Sequence, residues 1–233
     1  MTAAAVPPLV TLHLWGVPGR AVPAAVLRMA TERAALRHTP GLRFAKLLGT
    51  GSGRTFTPRD ADPRRWGLLA VWDDDAAAAA FAGGSVVRRW QRIAGEEWTA
   101  RLRPLSARGR WSRREPFGRP APARWDGPVA AITRARLAPL RTPAFWRAVP
   151  PVSADLQGSP GLRLALGIGE APIGLQGTVS VWTSAADLTA FAYGRAPHAA
   201  VVRRTPGAHW YAEELFARFA LLSAEGTVGG REV

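Results

Sequence analysis

The chain has 233 residues, of which 47% are hydrophobic, and this is enough apolar material for one large core or for two smaller cores that pack together. It contains no cysteine, which excludes disulfides, thiolate nucleophiles, cysteine-held iron–sulfur clusters and any cysteine-ligated metal or haem. The net charge of +14 comes almost wholly from arginine, because Lys46 is the only lysine, and the scattered arginines argue against a nucleic-acid-binding protein.

The first half of the chain has the apolar pattern of a βαββαβ unit. Alternating apolar residues predict strands, and apolar residues at helical spacing predict helices. In chain order we predict a strand at 9–15, a helix at 22–37, strands at 41–49 and 67–72, a helix at 73–82 that continues at 85–97, and a strand at 98–105. The seventeen residues 50–66 are predicted to form the longest irregular connection of this half. The order of elements is that of a ferredoxin-like unit.

The same order recurs after a basic connection at 106–126. Strands are predicted at 129–136, 161–167, 178–182 and 215–222, and helical segments at 143–149 with 153–157, at 184–192 and at 197–204. The sequence also matches itself, because Gly67–Trp72 is echoed by Gly177–Trp182 at an offset of about 110 residues. These observations indicate an internal duplication.

A simple alignment of the two copies places Trp98 opposite Trp210 and His198 opposite Val86. Two such units, each with helices on one face of its sheet, would leave apolar sheet faces that bury each other. The predicted fold class is therefore α+β, a tandem duplication of ferredoxin-like units that form a barrel within one chain. Residues 1–115 are predicted to form the N-terminal half and residues 125–233 the C-terminal half.

Short motifs in both halves, spread from about Leu9 to about Phe219, carry a resemblance to a known family. They are Lys46–Gly51, Trp98–Thr99, Pro104–Ser112, Pro116–Phe117, Phe145–Trp146, Val149–Pro150, Gly167–Glu170, Gln176, Pro197–His198, Trp210 and Glu213–Phe219. In this order they resemble the two halves of the spheroidene monooxygenase family. The resemblance implies a haem-dependent monooxygenase on a dimeric-type α+β barrel, similar in plan to chlorite dismutases, dye-decolorising peroxidases and aldoxime dehydratases. Carotenoid oxygenation is the activity that names the family.

The resemblance implies haem b as cofactor, and the residues restrict how its iron would be held. Without cysteine, the axial ligand must be a histidine, a tyrosine or a methionine, and the candidates are His13, His38, His198, His209, Tyr193, Tyr211, Met1 and Met29. His198 follows Pro197 and opens a run of small apolar residues at 199–202 that would lie flat against a macrocycle. The residues alone do not choose among these candidates, and the resemblance selects His198 as the metal ligand.

The resemblance also points to the groups around this haem. Arg203 and Arg204 are candidates to pair with the haem propionates, and Trp210 is a candidate cofactor-binding residue. Either Glu213 or Glu214 would hydrogen-bond the second nitrogen of His198. The candidate catalytic residues are Lys46, Arg110 and Gln176.

Three classes of function are consistent with the sequence. The first is a haem-dependent monooxygenase acting on an apolar or biosynthetic small molecule, with a carotenoid-like substrate ranked first. The second is a haem enzyme of the same barrel that is not an oxygenase, with dehydratase-like or nitrogen–oxygen bond chemistry. The third is a cofactor-free barrel that binds a small ligand.

The expected partners follow from the monooxygenase class and from the charge. An oxygenase of this kind calls for an electron donor, such as a ferredoxin. Met1 to Val10 lacks the charged start and long apolar centre of a secretory signal, so we expect a cytoplasmic protein. The positive charge would also suit contact with an anionic membrane surface.

Overall fold

The strands of both halves form one antiparallel sheet. The computed structural model describes residues 9–54, 58–137, 155–170, 175–194 and 211–233. The strands in these ranges are β1 (Leu9–Gly16), β2 (Leu42–Gly51), β3 (Ala61–Trp72), β4 (Glu96–Gly109), β5 (Val129–Leu137), β6 (Leu162–Gly169), β7 (Leu175–Trp182), β8 (Tyr211–Val228) and β9 (Arg231–Glu232). The α-helices are α1 (Val22–Arg37), α2 (Asp75–Ala82), α3 (Ser85–Gln91) and α4 (Ala185–Gly194).

The strand order shows two ferredoxin-like sheets joined edge to edge. The first half has the order β4-β1-β3-β2, and the second half repeats it in reverse as β6-β7-β5-β8. One junction is β2 with β6, and the other is β4 with β8, so eight strands close into a barrel. Closure leaves no free edge among these eight strands. The predicted duplication of ferredoxin-like units in an α+β barrel is confirmed.

The two halves also share their register. Leu9 of β1 pairs with Trp72, and Val129 of β5 pairs with Trp182, so the residues of β1 and β5 correspond one to one. In both halves this tryptophan packs against a helix phenylalanine. The ring centroids of Trp72 and Phe81 lie 4.8 Å apart, and those of Trp182 and Phe191 lie 5.3 Å apart. The repeated sequence motif is therefore a repeated strand–helix contact.

Alternation along the strands divides the apolar residues into three layers. The barrel interior takes one face of every long strand, with Leu12 and Leu69 from the first half packed with Ile132 and Val181 from the second. A second layer lies between the outer face of the first half and α1 to α3. A third, smaller layer lies between the outer face of the second half and α4. The inner face of the sheet and its helix-covered outer face are therefore distinct environments, and each candidate residue belongs to one or the other.

Local signals explain where two of the helices begin. Pro23 lies in the first turn of α1, where a missing N–H costs no hydrogen bond. Asp74 caps α2 because its carboxylate accepts a hydrogen bond from the backbone N–H of Ala77 at 2.8 Å.

Three predicted boundaries are wrong, two of them because strand pairing does not depend on apolar side chains. The irregular connection at 50–66 is much shorter, since β2 runs to Gly51 and β3 already begins at Ala61. The helix predicted to reach residue 97 ends with α3 at Gln91, before Gly95 turns the chain into β4. The connection predicted from residue 106 begins later, because pairing with β8 extends β4 to Gly109.

The predicted match of Trp98 with Trp210 is also wrong. Leu14 of β1 pairs with Trp98, and its counterpart Arg134 of β5 pairs with Leu215. Trp98 therefore corresponds to Leu215, so the gap between the repeats is larger than the aligned tryptophans indicate. The helical segments predicted at 143–149 and 197–204, and the match of His198 with Val86, lie outside the described residues; residues 155–157 are helical.

Candidate functional site

The outer sheet face of the second half carries much smaller side chains than that of the first half. His13 and Trp15 of β1 correspond to Thr133 and Ala135 of β5. In the first half the imidazole and the indole stack at 5.4 Å and fill the space beneath the helices. His13 is 3% exposed, whereas Thr133 is exposed although it lies in the middle of the sheet. The two halves therefore have the same backbone but different amounts of space above it.

The neighbouring strands show the same difference. Leu68, which pairs with His13 in the first half, corresponds to Thr178, which pairs with Thr133. Leu47 pairs with Leu68, and Gly167 pairs with Thr178, so a leucine of the first half is replaced by a glycine. The backbone of Gly53 lies 3.0 Å from where a Cβ of Gly167 would be, so the space over Gly167 is already filled. The outer face of the second half is thus a floor of small residues on two adjacent strands, β5 and β7. We call Thr133, Ala135 and Thr178 the small-residue floor.

Polar residues border this floor. Ala135 lies between Gln176 of β7 and Glu214 of β8 in the register of the sheet. The guanidinium of Arg218 lies 5.9 Å from the ring centroid of Tyr193 on α4, so alternate residues of β8 face the helix side. Glu214 has the same parity as Arg218 and is half-buried. The floor therefore has a carboxylate beside it.

His13 is held in the packed layer of the first half. Its ring lies between Trp15 and Phe81, and its Nδ1 lies 3.1 Å from the hydroxyl of Thr99. Burial lowers the pKa of His13 to about 4. This histidine is a neutral core residue rather than a free metal ligand.

The stability of the protein should depend on pH through His13. An unfolded histidine has a pKa near 6.5, so between about pH 6.5 and pH 4 the unfolded chain binds a proton that folded His13 does not. The free energy of unfolding should therefore fall as the pH is lowered through this range. Urea denaturation at several pH values measures the fall, and it should be smaller in His13→Phe. An equal fall in this variant would contradict the assignment.

A cluster of charged side chains occupies one end of the barrel interior. Lys46 pairs with Glu170, and its Nζ lies 2.6 Å from the hydroxyl of Ser112. Arg134 pairs with Glu213, and its Nη2 lies 3.5 Å from Glu170. We call Lys46, Arg134, Glu170 and Glu213 the barrel-end cluster. Lys46, Arg134 and Glu213 lie on β2, β5 and β8, and Glu170 follows the end of β6. The cluster therefore joins the two halves.

Trp111 covers this cluster from the connection that follows β4. Its indole N–H donates to Glu170, and the guanidinium of Arg134 lies 5.6 Å from its ring centroid. Trp111 is 1% exposed, and the side chain of Arg134 is 5% exposed. The Nε of Arg134 has no hydrogen-bond partner among the described residues. Arg134 is therefore shielded from water and depends on its carboxylate partners.

Glu213 also holds a strained turn. Ser112 and Arg113 have φ angles of 54° and 63°, a region that costs free energy for residues other than glycine. Their backbone N–H groups donate to the Glu213 carboxylate at 3.0 and 2.7 Å. Burial alone would raise the pKa of Glu213, but the hydrogen bonds from Arg113, Arg134 and Ser112 lower it below its usual range.

The position that corresponds to Glu213 in the first half is Glu96, and its surroundings carry fewer charges. Glu96 accepts hydrogen bonds from Gly230 N–H at 2.7 Å and from Thr227 at 3.0 Å, so it holds the equivalent turn. At the positions of Arg134 and Lys46, however, the repeat has the apolar residues Leu14 and Leu166. The turn-holding glutamate is thus common to both halves, whereas the buried cations belong to one end of the barrel.

Sequence comparison identifies the relatives of this chain. No family model matches it. The spheroidene monooxygenase of Rhodobacter capsulatus is 37% identical over 97% of this chain and 95% of its own length. The chain belongs to the spheroidene monooxygenase family. Another member, from Rubrivivax gelatinosus, is 43% identical over 82% of this chain and 73% of its own length.

Solved structures support the fold of this family member. The crystal structure of an aldoxime dehydratase superposes with a TM-score of 0.60 at 13% identity, covering 93% of this chain and 82% of that protein. A second aldoxime dehydratase, in complex with butyraldoxime, gives 0.59 at 12% identity, covering 95% of this chain and 83% of that protein. At this identity the likeness concerns the fold alone.

The structure separates the candidate catalytic residues that were predicted from the sequence. Lys46 belongs to the barrel-end cluster. The side chain of Arg110 is 65% exposed and lies 4.0 Å from Glu115, while its backbone N–H donates to the backbone carbonyl of Glu214 at 2.7 Å. Gln176 lies beside the small-residue floor by its backbone position, and its side chain is outside the described part of the chain.

The candidate cofactor-binding residues His198, Arg203, Arg204 and Trp210 lie outside the described residues, as does His209. Among the residues that the structure describes, no three His, Asp or Glu side chains form a group that would hold a metal ion. In the same ranges no helix is both long and apolar enough to cross a membrane.

One finding changes the residues expected around His198, and a second adds a buried residue that was not expected. Both oxygens of Glu213 are engaged in the barrel interior, so Glu213 is not available to orient His198 and Glu214 remains the candidate. Sequence reasoning also missed Arg134, which follows the apolar residues Ala130 and Ile132 on the inward face of β5. That pattern break was the available signal, but it did not reveal the partners of Arg134 on other strands.

Proposed function

We propose that the protein is a haem-dependent monooxygenase that oxidises an apolar, carotenoid-like substrate. Family membership carries this proposal, because a relative 37% identical over 97% of the chain is named spheroidene monooxygenase. A shared fold does not fix chemistry, so the likeness to aldoxime dehydratases supports only the architecture. The haem component of the proposal rests on the motif resemblance and on the space in the second half.

The proposed seat of the haem is the small-residue floor, on the helix side of the sheet. Thr133, Ala135 and Thr178 fit a flat macrocycle because they are smaller than the first-half residues that fill the same space. A haem bound there would supply the iron that activates dioxygen.

The residues proposed to hold the haem come from the segment before β8. His198 binds the iron, Arg203 and Arg204 pair with the propionates, and Trp210 contacts the macrocycle. Glu214 accepts a hydrogen bond from the second nitrogen of His198 and fixes the direction of the imidazole. The half-buried position of Glu214 on the helix side of β8 supports this role.

The proposed catalytic residues then have different tasks. Gln176 is the best candidate to contact substrate, because its backbone lies next to Ala135 at the floor. Lys46 lies in the barrel interior and acts through Glu170, so its proposed role is to position the strand ends. Arg110 positions the chain beside Glu214 through its backbone N–H. An electron donor such as a ferredoxin completes the proposed reaction.

The test is to add haemin to the purified protein and then an acyclic carotene, a reductant and dioxygen. We expect a Soret band and a hydroxylated product heavier than the substrate by one oxygen atom, with the second atom of dioxygen reduced to water by two electrons from the reductant. Protein without haem is the control and should give no product. A Soret band without a product or a spectral shift on adding carotene would contradict the substrate, and a protein that stays colourless would contradict the cofactor.

A further inference from the structure

The exposed side of α1 combines apolar residues with arginines. Val26 is 53% exposed and Leu27 is 62% exposed, and they are two of the four exposed large hydrophobic residues in the described part of the chain. Helical spacing places Ala30 and Ala34 in the same strip. These four residues point away from the buried side of α1, which carries Ala25, Glu32 and Leu36. We call the strip and its flanking arginines the α1 face.

Arginines flank this strip on both sides. Arg33 and Arg37 are exposed and lie along one edge by helical spacing. Along the other edge α3 packs against α1, since Arg28 donates to the backbone oxygen of Arg89 at 2.9 Å. Arg88 of α3 and Arg92 directly after it are exposed along this second edge.

Negative charge is nearly absent from this region of the chain. Residues 19–38 and 83–95 contain seven arginines and one acidic residue, Glu32. The side chain of Glu32 is 3% exposed and makes two hydrogen bonds to Arg89, so it presents no carboxylate to solvent. The exposed side of this region therefore carries arginines and no exposed carboxylate.

We propose that the α1 face docks the protein on an anionic lipid surface. Apolar side chains between arginines are what an interfacial helix needs, because the apolar strip enters the boundary of the acyl chains while the arginines stay at the headgroups. The positive charge favours an anionic lipid surface over a neutral one, since anionic headgroups attract each nearby arginine. The proposal concerns the first half and does not depend on haem or on oxygenase activity.

The experiment measures co-sedimentation of the full chain with vesicles. We expect binding to vesicles of equal parts phosphatidylcholine and phosphatidylglycerol, little binding to phosphatidylcholine alone, and release by salt because salt screens the charges. Each arginine near an anionic surface contributes about fivefold to binding, so the double variant Arg33→Gln/Arg37→Gln should bind about 25-fold more weakly. Val26→Ser/Leu27→Ser should also weaken binding.

Matched controls remove an exposed apolar residue and an exposed arginine elsewhere. Leu222→Ser on β8 and Arg231→Gln on β9 should bind like the unaltered protein, and circular dichroism checks the fold of every variant. The proposal fails if the anionic vesicles do not bind the protein, or if the α1 variants bind as well as the controls. It also fails if Val26→Ser/Leu27→Ser instead dissociates a dimer, because a second copy would then cover this face.

Discussion

Thr133→Trp is expected to abolish haem binding and to leave the protein folded. Thr133 is exposed at the centre of the small-residue floor, so an indole there would occupy the space proposed for the macrocycle. The first half shows that this sheet position accepts a large ring, because its counterpart His13 is stacked and buried. The ratio of Soret to protein absorbance should fall by more than about tenfold, which corresponds to about 1.4 kcal/mol of lost binding.

The matched control for this variant is Thr31→Trp, at an exposed position of α1 in the other half. It should keep the Soret absorbance, because it adds the same indole away from the floor. Circular dichroism and thermal unfolding separate loss of haem from loss of fold. A Thr133→Trp protein with an unchanged Soret band would place the haem elsewhere and would sink the proposed seat.

Glu213→Ala is expected to destabilise the protein by about 3 kcal/mol. The variant leaves the guanidinium of Arg134 buried with Glu170 at 3.5 Å as its remaining carboxylate partner, and breaking a buried ion pair typically costs about 3–5 kcal/mol. It also frees the backbone N–H groups of Ser112 and Arg113, whose positive φ angles are then unsupported. Urea denaturation gives the change in the free energy of unfolding.

Two further variants identify the cause of this loss. Glu96→Ala removes the equivalent turn-holding carboxylate, but its partner Arg65 is 21% exposed and stays partly hydrated, so the cost should be smaller, about 1 kcal/mol. Arg134→Leu in the Glu213→Ala background should recover part of the stability, because Leu14 fills the corresponding position in the repeat. No recovery would mean that the turn, and not the buried cation, dominates.

The sequence predicted the fold well where the signals were local. Repeated motifs at Gly67–Trp72 and Gly177–Trp182 indicated the duplication, and apolar periodicity gave the position of α1 to the residue. It failed at the start of β3 and the end of β4, since these segments are polar and become strands through pairing with a neighbour. Pairing between distant segments is not visible in a local pattern.

For the candidate site, the sequence determined which chemistry is available, and the tertiary structure decided where it lies. The absence of cysteine restricts an iron ligand to a few side chains, and this depends on composition alone. The small-residue floor, by contrast, becomes visible only when strand register aligns Thr133 with His13. The separation of Glu213 from Glu214 likewise depends on the alternation of β8 between the two faces of a closed barrel. Adjacent residues enter different environments there, because the barrel interior and the helix layer are divided by the sheet itself.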